Sequence, residues 1–303
     1  MLQIGNTPLV RLDRLTGPDC ADVWVKCEGA NPTGSMKDRM ALSMVEGAEA
    51  RGALRRGMRL VEYTGGSTGS SLAMVCAMRG YRAHFVSSNG FAEEKLRTMR
   101  AFGAQVEIIE AEGRRLTAAV IDRMIARART LAAESDVYWP DQVNNPDNKR
   151  GYHGMAQEIC AALAGPVDAF VAATGGGGCI SGNAEILKQR NPATRIVAVE
   201  PDQVRNISGG PTSGTHRLEG IGLSFTPTIL RRDLIDEVIA VTDADAYSTA
   251  RDLAMRAGIL GGVTSGANVF AALQLARRLG PGKTVVTVII DTGLRYLQGD
   301  LFV

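Results

Sequence analysis

A chain of 303 residues with a formal net charge of +2, 45% hydrophobic and 22% charged, reads as an ordinary globular sequence. It has no dense Lys/Arg run and no apolar run that approaches a membrane span; TVVTVII (284–290) has only the length of a strand. Nucleic acid and membranes are therefore not expected as partners.

Taken in order, the chain alternates short β-type runs with helical patterns. The first strand is expected at DVWVKCE (22–28). NPTGSMKDRM (31–40) follows, where Asn31, Pro32 and Gly34 mark a turn and Ser35 is placed to cap the helix KDRMALSMVEGAEA. Lys37, one of only six lysines, thus sits at a helix start. The unpaired N–H groups and partial positive charge there weaken a lysine's hold on its proton. A solvated surface lysine is the plainer alternative. Strands are next expected at RLVEY (59–63), AHFVSS (83–88) and QVEIIE (105–110), and helices at EEKLRTMRAF (93–102) and TAAVIDRMIARARTLAAE (117–134). In the last of these, Val120, Met124, Ile125 and Leu131 keep helical spacing. A polar segment, PDQVNNPDNKRGYHG (140–154), then separates two blocks. Beyond it, strands are expected at DAFVAAT (168–174), RIVAVE (195–200), EVIAVT (237–242) and TVVTVII, and a helix at ADAYSTARDLAMRAG (244–258). Residues 201–236, rich in Gly, Pro, Ser and Thr, read mostly as irregular loop. The alternation, broken at 140–154, implies an α/β fold of two lobes, each a mainly parallel sheet flanked by helices, with a cleft between them.

The N-terminal MLQIGNTPLV has neither the charged start nor the apolar centre of an export signal. Cysteines 20, 27, 76, 160 and 179 show no CxxC spacing, and an odd count points to free thiols in a reducing cytoplasm. Histidines 84, 153 and 216 form no HxxH pair, so no metal site is expected.

Two glycine clusters join Lys37 as chemical candidates. In EYTGGSTGSSLAMVC (62–76) a strand runs into a small-residue loop and then a helix, where backbone N–H groups and hydroxyls suit a carboxylate. An ordinary strand-to-helix turn has the same look. In AATGGGGCISGNAEILK (172–188) four consecutive glycines precede a helix. So costly a run suggests close backbone approach to a phosphate. A dinucleotide site is the rival, with Glu200 at a strand end in the place of a ribose-binding acid, but the GxGxxG spacing fails at Ile180 and Ser181. A lysine together with a phosphate cup points to pyridoxal 5'-phosphate.

These motifs, in this order, resemble the cysteine synthase (O-acetylserine sulfhydrylase) and cystathionine β-synthase family of fold-type II, tryptophan synthase β-like enzymes that use this coenzyme. IGNTPLVRL (4–12) looks like the family opening, NPTGSMKDR like its Schiff-base motif and TGGSTG (64–69) like its substrate-carboxylate loop. DQVNNPDN (141–148), GGGGCISG (175–182), EGIGLSF (219–225), TSGAN (264–268) and DTGLRYL (291–297) follow in family order.

The resemblance implies Lys37 as the catalytic Schiff-base lysine. It implies Ser67, Gly175, Gly176, Gly177, Gly178, Cys179 and Ser265 at the cofactor, and Thr64, Gly65, Gly66, Thr68 and Gln142 at the substrate. It implies a smaller lobe of residues 1–10 and 35–145 and a larger lobe of 11–34 and 146–303, each with a twisted sheet and with the active site in the cleft between them, in a homodimer acting on a small amino-acid substrate. The reaction implied is β-replacement on an O-activated L-serine through an aminoacrylate, giving L-cysteine or a related β-substituted alanine. A β-elimination lyase (cysteine desulfhydrase or serine dehydratase) is the alternative, and a non-catalytic homologue the third. Familiar members read TSGNTG where this chain has Gly65 and Ser67, and carry threonines where it has Gly176 and Cys179. A serine hydroxyl is shorter than the asparagine amide it replaces and donates one hydrogen bond rather than two. Ser265 is also placed to cap the helix GANVFAALQLARRLG.

Overall fold

The computed structural model describes residues 3–223 and 225–303; Met1, Leu2 and Ser224 of the EGIGLSF segment lie outside the described residues. The chain divides into a smaller unit, residues 37–151, and a larger unit, residues 3–36 and 152–303.

The smaller unit is built on a four-stranded, wholly parallel sheet. Its strands are β3 (Arg59–Tyr63), β4 (Arg82–Ser88), β5 (Gln105–Ile109) and β6 (Val137–Tyr138), in the order β5-β4-β3-β6. Its helices are α1 (Lys37–Ala50), α2 (Ser67–Arg79), α3 (Glu93–Ala101), α4 (Ala118–Ala132) and α5 (Pro146–Arg150). The amphipathic α4 lays Val120, Met124, Ala128 and Leu131 on Val61 and Val86 of the sheet. Thr117 caps it by accepting from the Val120 N–H at 3.3 Å.

The larger unit carries a six-stranded sheet, β1-β2-β10-β7-β8-β9, formed by β1 (Leu9–Arg11), β2 (Asp22–Cys27), β7 (Ala169–Ala173), β8 (Arg195–Pro201), β9 (Glu237–Val241) and β10 (Thr284–Ile289). All neighbours run parallel except β1 against β2. Strands β7 and β8 are buried along nearly their whole length, as parallel strands covered on both faces must be. Helices α6 (His153–Ala162), α7 (Gly178–Arg190), α8 (Asp243–Ala257) and α9 (Val263–Leu279) complete the unit. The segment between β8 and β9 is mostly irregular, as its composition implies.

Three details differ from the sequence reading. Residues 3–10 and 35–36 fall in the larger unit, where β1 pairs with β2 in register Leu9 to Lys26. Residues 146–151 belong with the smaller one. There α5 packs on α1, and the fully buried Asp147 meets the Arg51 guanidinium at 2.7 Å while its carbonyl accepts from the Ser43 hydroxyl at 2.7 Å. α1 starts at Lys37, two residues after Ser35, whose backbone forms a β-bridge with Asp291. One helix also begins off its expected cap. α9 starts at Val263 behind Gly262, which puts Ser265 inside its first turn.

Candidate active site

In the smaller unit the candidate residues follow the carboxyl ends of parallel strands, where ligands of open α/β sheets bind. β3 runs into Thr64, and α2 opens at Ser67 behind Gly66. The loop between is set by Thr64. Its N–H donates to the Val86 carbonyl at 2.9 Å, and its hydroxyl oxygen accepts from the Gly69 N–H at 3.1 Å. Gly65 and Thr68 are buried, and Gly66 and Ser67 are half-buried. The Ser71 hydroxyl donates to the Asp38 carboxylate at 2.6 Å, joining the second turn of α2 to the first turn of α1. The half-buried Lys37 is the first residue of α1, next to Asp38 of this bond.

Gln142 is held to the same strand end. Its N–H donates to Glu62 at 3.0 Å, its carboxamide donates to the Tyr63 carbonyl at 3.3 Å, and its carbonyl accepts from Asn148 at 2.6 Å. Asp141 beside it has a left-handed φ of 51°, uncommon for a residue with a side chain. Glu62 is fully buried and also accepts from the Trp139 indole at 2.8 Å and the Tyr63 N–H at 3.0 Å. Sequence reasoning missed it, although an acid inside the apolar run RLVEY was a visible signal.

Burial pushes the Glu62 carboxyl up to about 8, against the three N–H donors that favour its charge. The folded protein therefore holds this proton more tightly than the unfolded chain. The associated stability is full below the unfolded value of 4.5 and is lost as pH rises through about 8. The melting temperature of the wild type is expected to fall relative to Glu62→Gln between pH 5 and pH 9, by several degrees in calorimetry. An unchanged difference across that range would show Glu62 to be ionised throughout.

In the larger unit β7 runs through Thr174 into the glycines, and α7 opens at Gly178 behind Gly177, whose φ is 79°. Gly175 and Gly176 are half-buried, while Gly177, Gly178 and Cys179 are buried. The start of this 13-residue helix presents N–H groups that have no partner one turn earlier. A Cβ on Gly175 would lie 1.9 Å from the Gly220 carbonyl oxygen, so the loop at 219–221 approaches a bare backbone there. Thr264 donates to the Glu219 carbonyl at 2.9 Å and ties that same loop to α9. Ser265 is fully buried and accepts from the Ile290 N–H at 2.9 Å, leaving its own hydrogen to donate. Asn268, which sequence reasoning did not single out, accepts from the Ala173 N–H at 2.6 Å and donates to the Val288 carbonyl at 2.8 Å. It thereby seats α9 against the strand that leads into the glycines.

Glu200 does not serve the dinucleotide reading. It is buried, and its carboxylate accepts from the Ile207 N–H at 2.9 Å, the Ser208 N–H at 3.3 Å and the Ser208 hydroxyl. Among the described residues no cluster of three or more His, Cys, Asp or Glu is placed to hold a metal ion, and no helix is long and apolar enough to cross a membrane.

Comparison with known proteins finds relatives along nearly the whole chain. A probable cysteine synthase of Bacillus subtilis is 42% identical over 304 residues, spanning 99% of this chain and 96% of its own length. The crystal structure of O-ureido-L-serine synthase matches with a TM-score of 0.92 at 36% identity, over 99% of this chain and 93% of that one. O-acetylserine sulfhydrylase isoform 3 of Entamoeba histolytica matches with a TM-score of 0.93 at 33% identity, over 99% and 89%. The model of the family described as pyridoxal-phosphate dependent enzyme matches residues 1–291, and the chain belongs to that family and depends on pyridoxal 5'-phosphate.

Proposed function

We propose that this enzyme carries out β-replacement on an O-activated L-serine, giving L-cysteine or a related β-substituted alanine. The observation that carries the reading is the likeness, along nearly the whole chain, to a probable cysteine synthase and to an O-acetylserine sulfhydrylase; the Ser71–Asp38 bond, which ties the start of α1 to α2, is consistent with it. The relatives' names support it: they describe synthesis of cysteine or of O-ureido-L-serine, and sulfhydrylation of O-acetylserine.

The donor groups fit the coenzyme. Gly175–Gly178 and Cys179 would take its phosphate on the opening N–H groups of α7. Ser265, already accepting from Ile290, would donate its hydrogen to the ring nitrogen. Ser67 would lie by the ring's 3' oxygen. Bound pyridoxal phosphate supplies an aldehyde for amines and a ring that draws electrons from Cα. A neutral serine at the ring nitrogen, where a carboxylate would keep it protonated, suits loss of a β-substituent over transamination. Lys37 would hold the coenzyme at rest, and its amine, once released, would take the Cα proton. Thr64, Gly65, Gly66 and Thr68 would seat the substrate carboxylate, with Gln142 beside them. We place the enzyme in a reducing cytoplasm, a reading its five free cysteines support, and expect it to be a homodimer.

The test is a screen of O-acetylserine, O-phosphoserine, serine and cysteine, each with and without sulfide, with products identified by mass. Cysteine formed from an O-activated serine only when sulfide is present is the expected result. Pyruvate released at the same rate with and without sulfide would replace this reading with β-elimination.

A further inference from the structure

The sequence reading gave Phe91 no role, yet its ring sits directly on the substrate-side loop. A Cβ built on Gly65 would come within 1.9 to 2.1 Å of three ring carbons of Phe91. The ring therefore occupies the volume that a side chain at 65 would need. Gly65 is buried beneath it, whereas a Cβ on the neighbouring Gly66 would meet nothing within 4 Å.

The ring is itself well anchored. It packs on the cluster of Val61, Val86, Ala111 and Val120 behind the sheet. The Phe91 N–H donates to the Ser88 carbonyl at 3.1 Å, and the Gly90 N–H to the Ser88 hydroxyl at 3.3 Å. Asn89 accepts from the Ala111 N–H at 2.7 Å and so fastens this turn to the chain beyond β5.

Two adjacent glycines make a loop with much freedom to lose. On one side the Thr64 hydroxyl clamps it; on the other the Phe91 ring is the restraint. N–H groups bind an anion well only when their directions are already set.

We propose that Phe91 is a positioning residue for substrate, its ring on Gly65 holding the Thr64–Thr68 loop in the shape that receives a carboxylate. The inference rests on the proposed role of that loop. Where the family loop carries a serine, this chain has a bare glycine with the Phe91 ring against it.

The test compares Phe91→Ala, Phe91→Leu, Gly65→Ser, the Gly65→Ser/Phe91→Ala pair and Thr68→Val, with KM and kcat for O-acetyl-L-serine and melting temperature as readouts. Phe91→Ala is expected to raise KM about tenfold with kcat within about twofold, because the loop must then be ordered by the substrate. Phe91→Leu restores most of that loss. Gly65→Ser alone lowers the melting temperature through collision with the ring, and adding Phe91→Ala recovers it. An unchanged KM in Phe91→Ala with a raised KM in Thr68→Val overturns the proposal and leaves the loop's role standing. If neither variant moves KM, the loop does not bind the carboxylate, and the proposal falls with the reading beneath it.

Discussion

Replacing Lys37 by alanine is expected to lower turnover about 10²- to 10⁴-fold and to abolish covalent retention of the coenzyme. The substitution removes the only group proposed to serve both as covalent anchor and as base at Cα. Lys37→Arg is not expected to rescue, since a guanidinium stays protonated at any working pH and neither attacks an aldehyde nor accepts a proton. Folding should survive, because Lys37 is only half-buried and alanine is the better helix former. Lys26 is no substitute: it is almost fully buried, and its amine is paired with the Glu158 carboxylate at 2.6 Å. The measurements are product formation by mass and the visible absorbance that stays with the protein after gel filtration. Retained colour and turnover in Lys37→Ala would place the chemistry elsewhere.

The second large effect is expected at Gly175. In Gly175→Ala the new methyl would lie 1.9 Å from a backbone carbonyl oxygen, a group that cannot rotate aside as a flexible side chain would. Either the turn into α7 or the loop at Gly220 must shift, at a cost of about 1–3 kcal/mol or more. The turn into α7 receives the phosphate in the proposed reading, so the melting temperature should fall and the dissociation constant for pyridoxal phosphate should rise at least about tenfold. Gly165→Ala is the control: its Cβ would meet nothing within 4 Å, and both quantities should hold. Unchanged coenzyme affinity in Gly175→Ala would separate this loop from the phosphate.

How much of this was legible beforehand depended on range along the chain. All eight expected strands form, because each is a short apolar-rich run bounded by turn residues that needs no distant partner to be seen. β1 and β6 escaped notice because three and two residues make no alternation; they exist only through pairing with β2 and β3. The cap at Ser265 was misplaced for a related reason. Ser265 is claimed by the Ile290 N–H, so a long-range bond overrode the local preference. The glycine loops were readable because strand, small residues and helix lie within fifteen residues of one another. Glu62 was not read with Trp139 and Gln142, which are 77 and 80 residues distant, nor Phe91 with Gly65, since nothing short of the folded sheet brings β3 and β4 side by side.

The strand order of the larger sheet has a consequence for synthesis. β2, made early, lies between β1 and β10, and its parallel partner β10 is nearly the last element to be made. Residues 37–151 are continuous and can close their own sheet while still emerging from the ribosome. β2 meanwhile waits with one edge bare for some 260 residues of translation, a template for unwanted pairing, so nascent chains stalled before residue 284 are the form of this protein most in need of a chaperone.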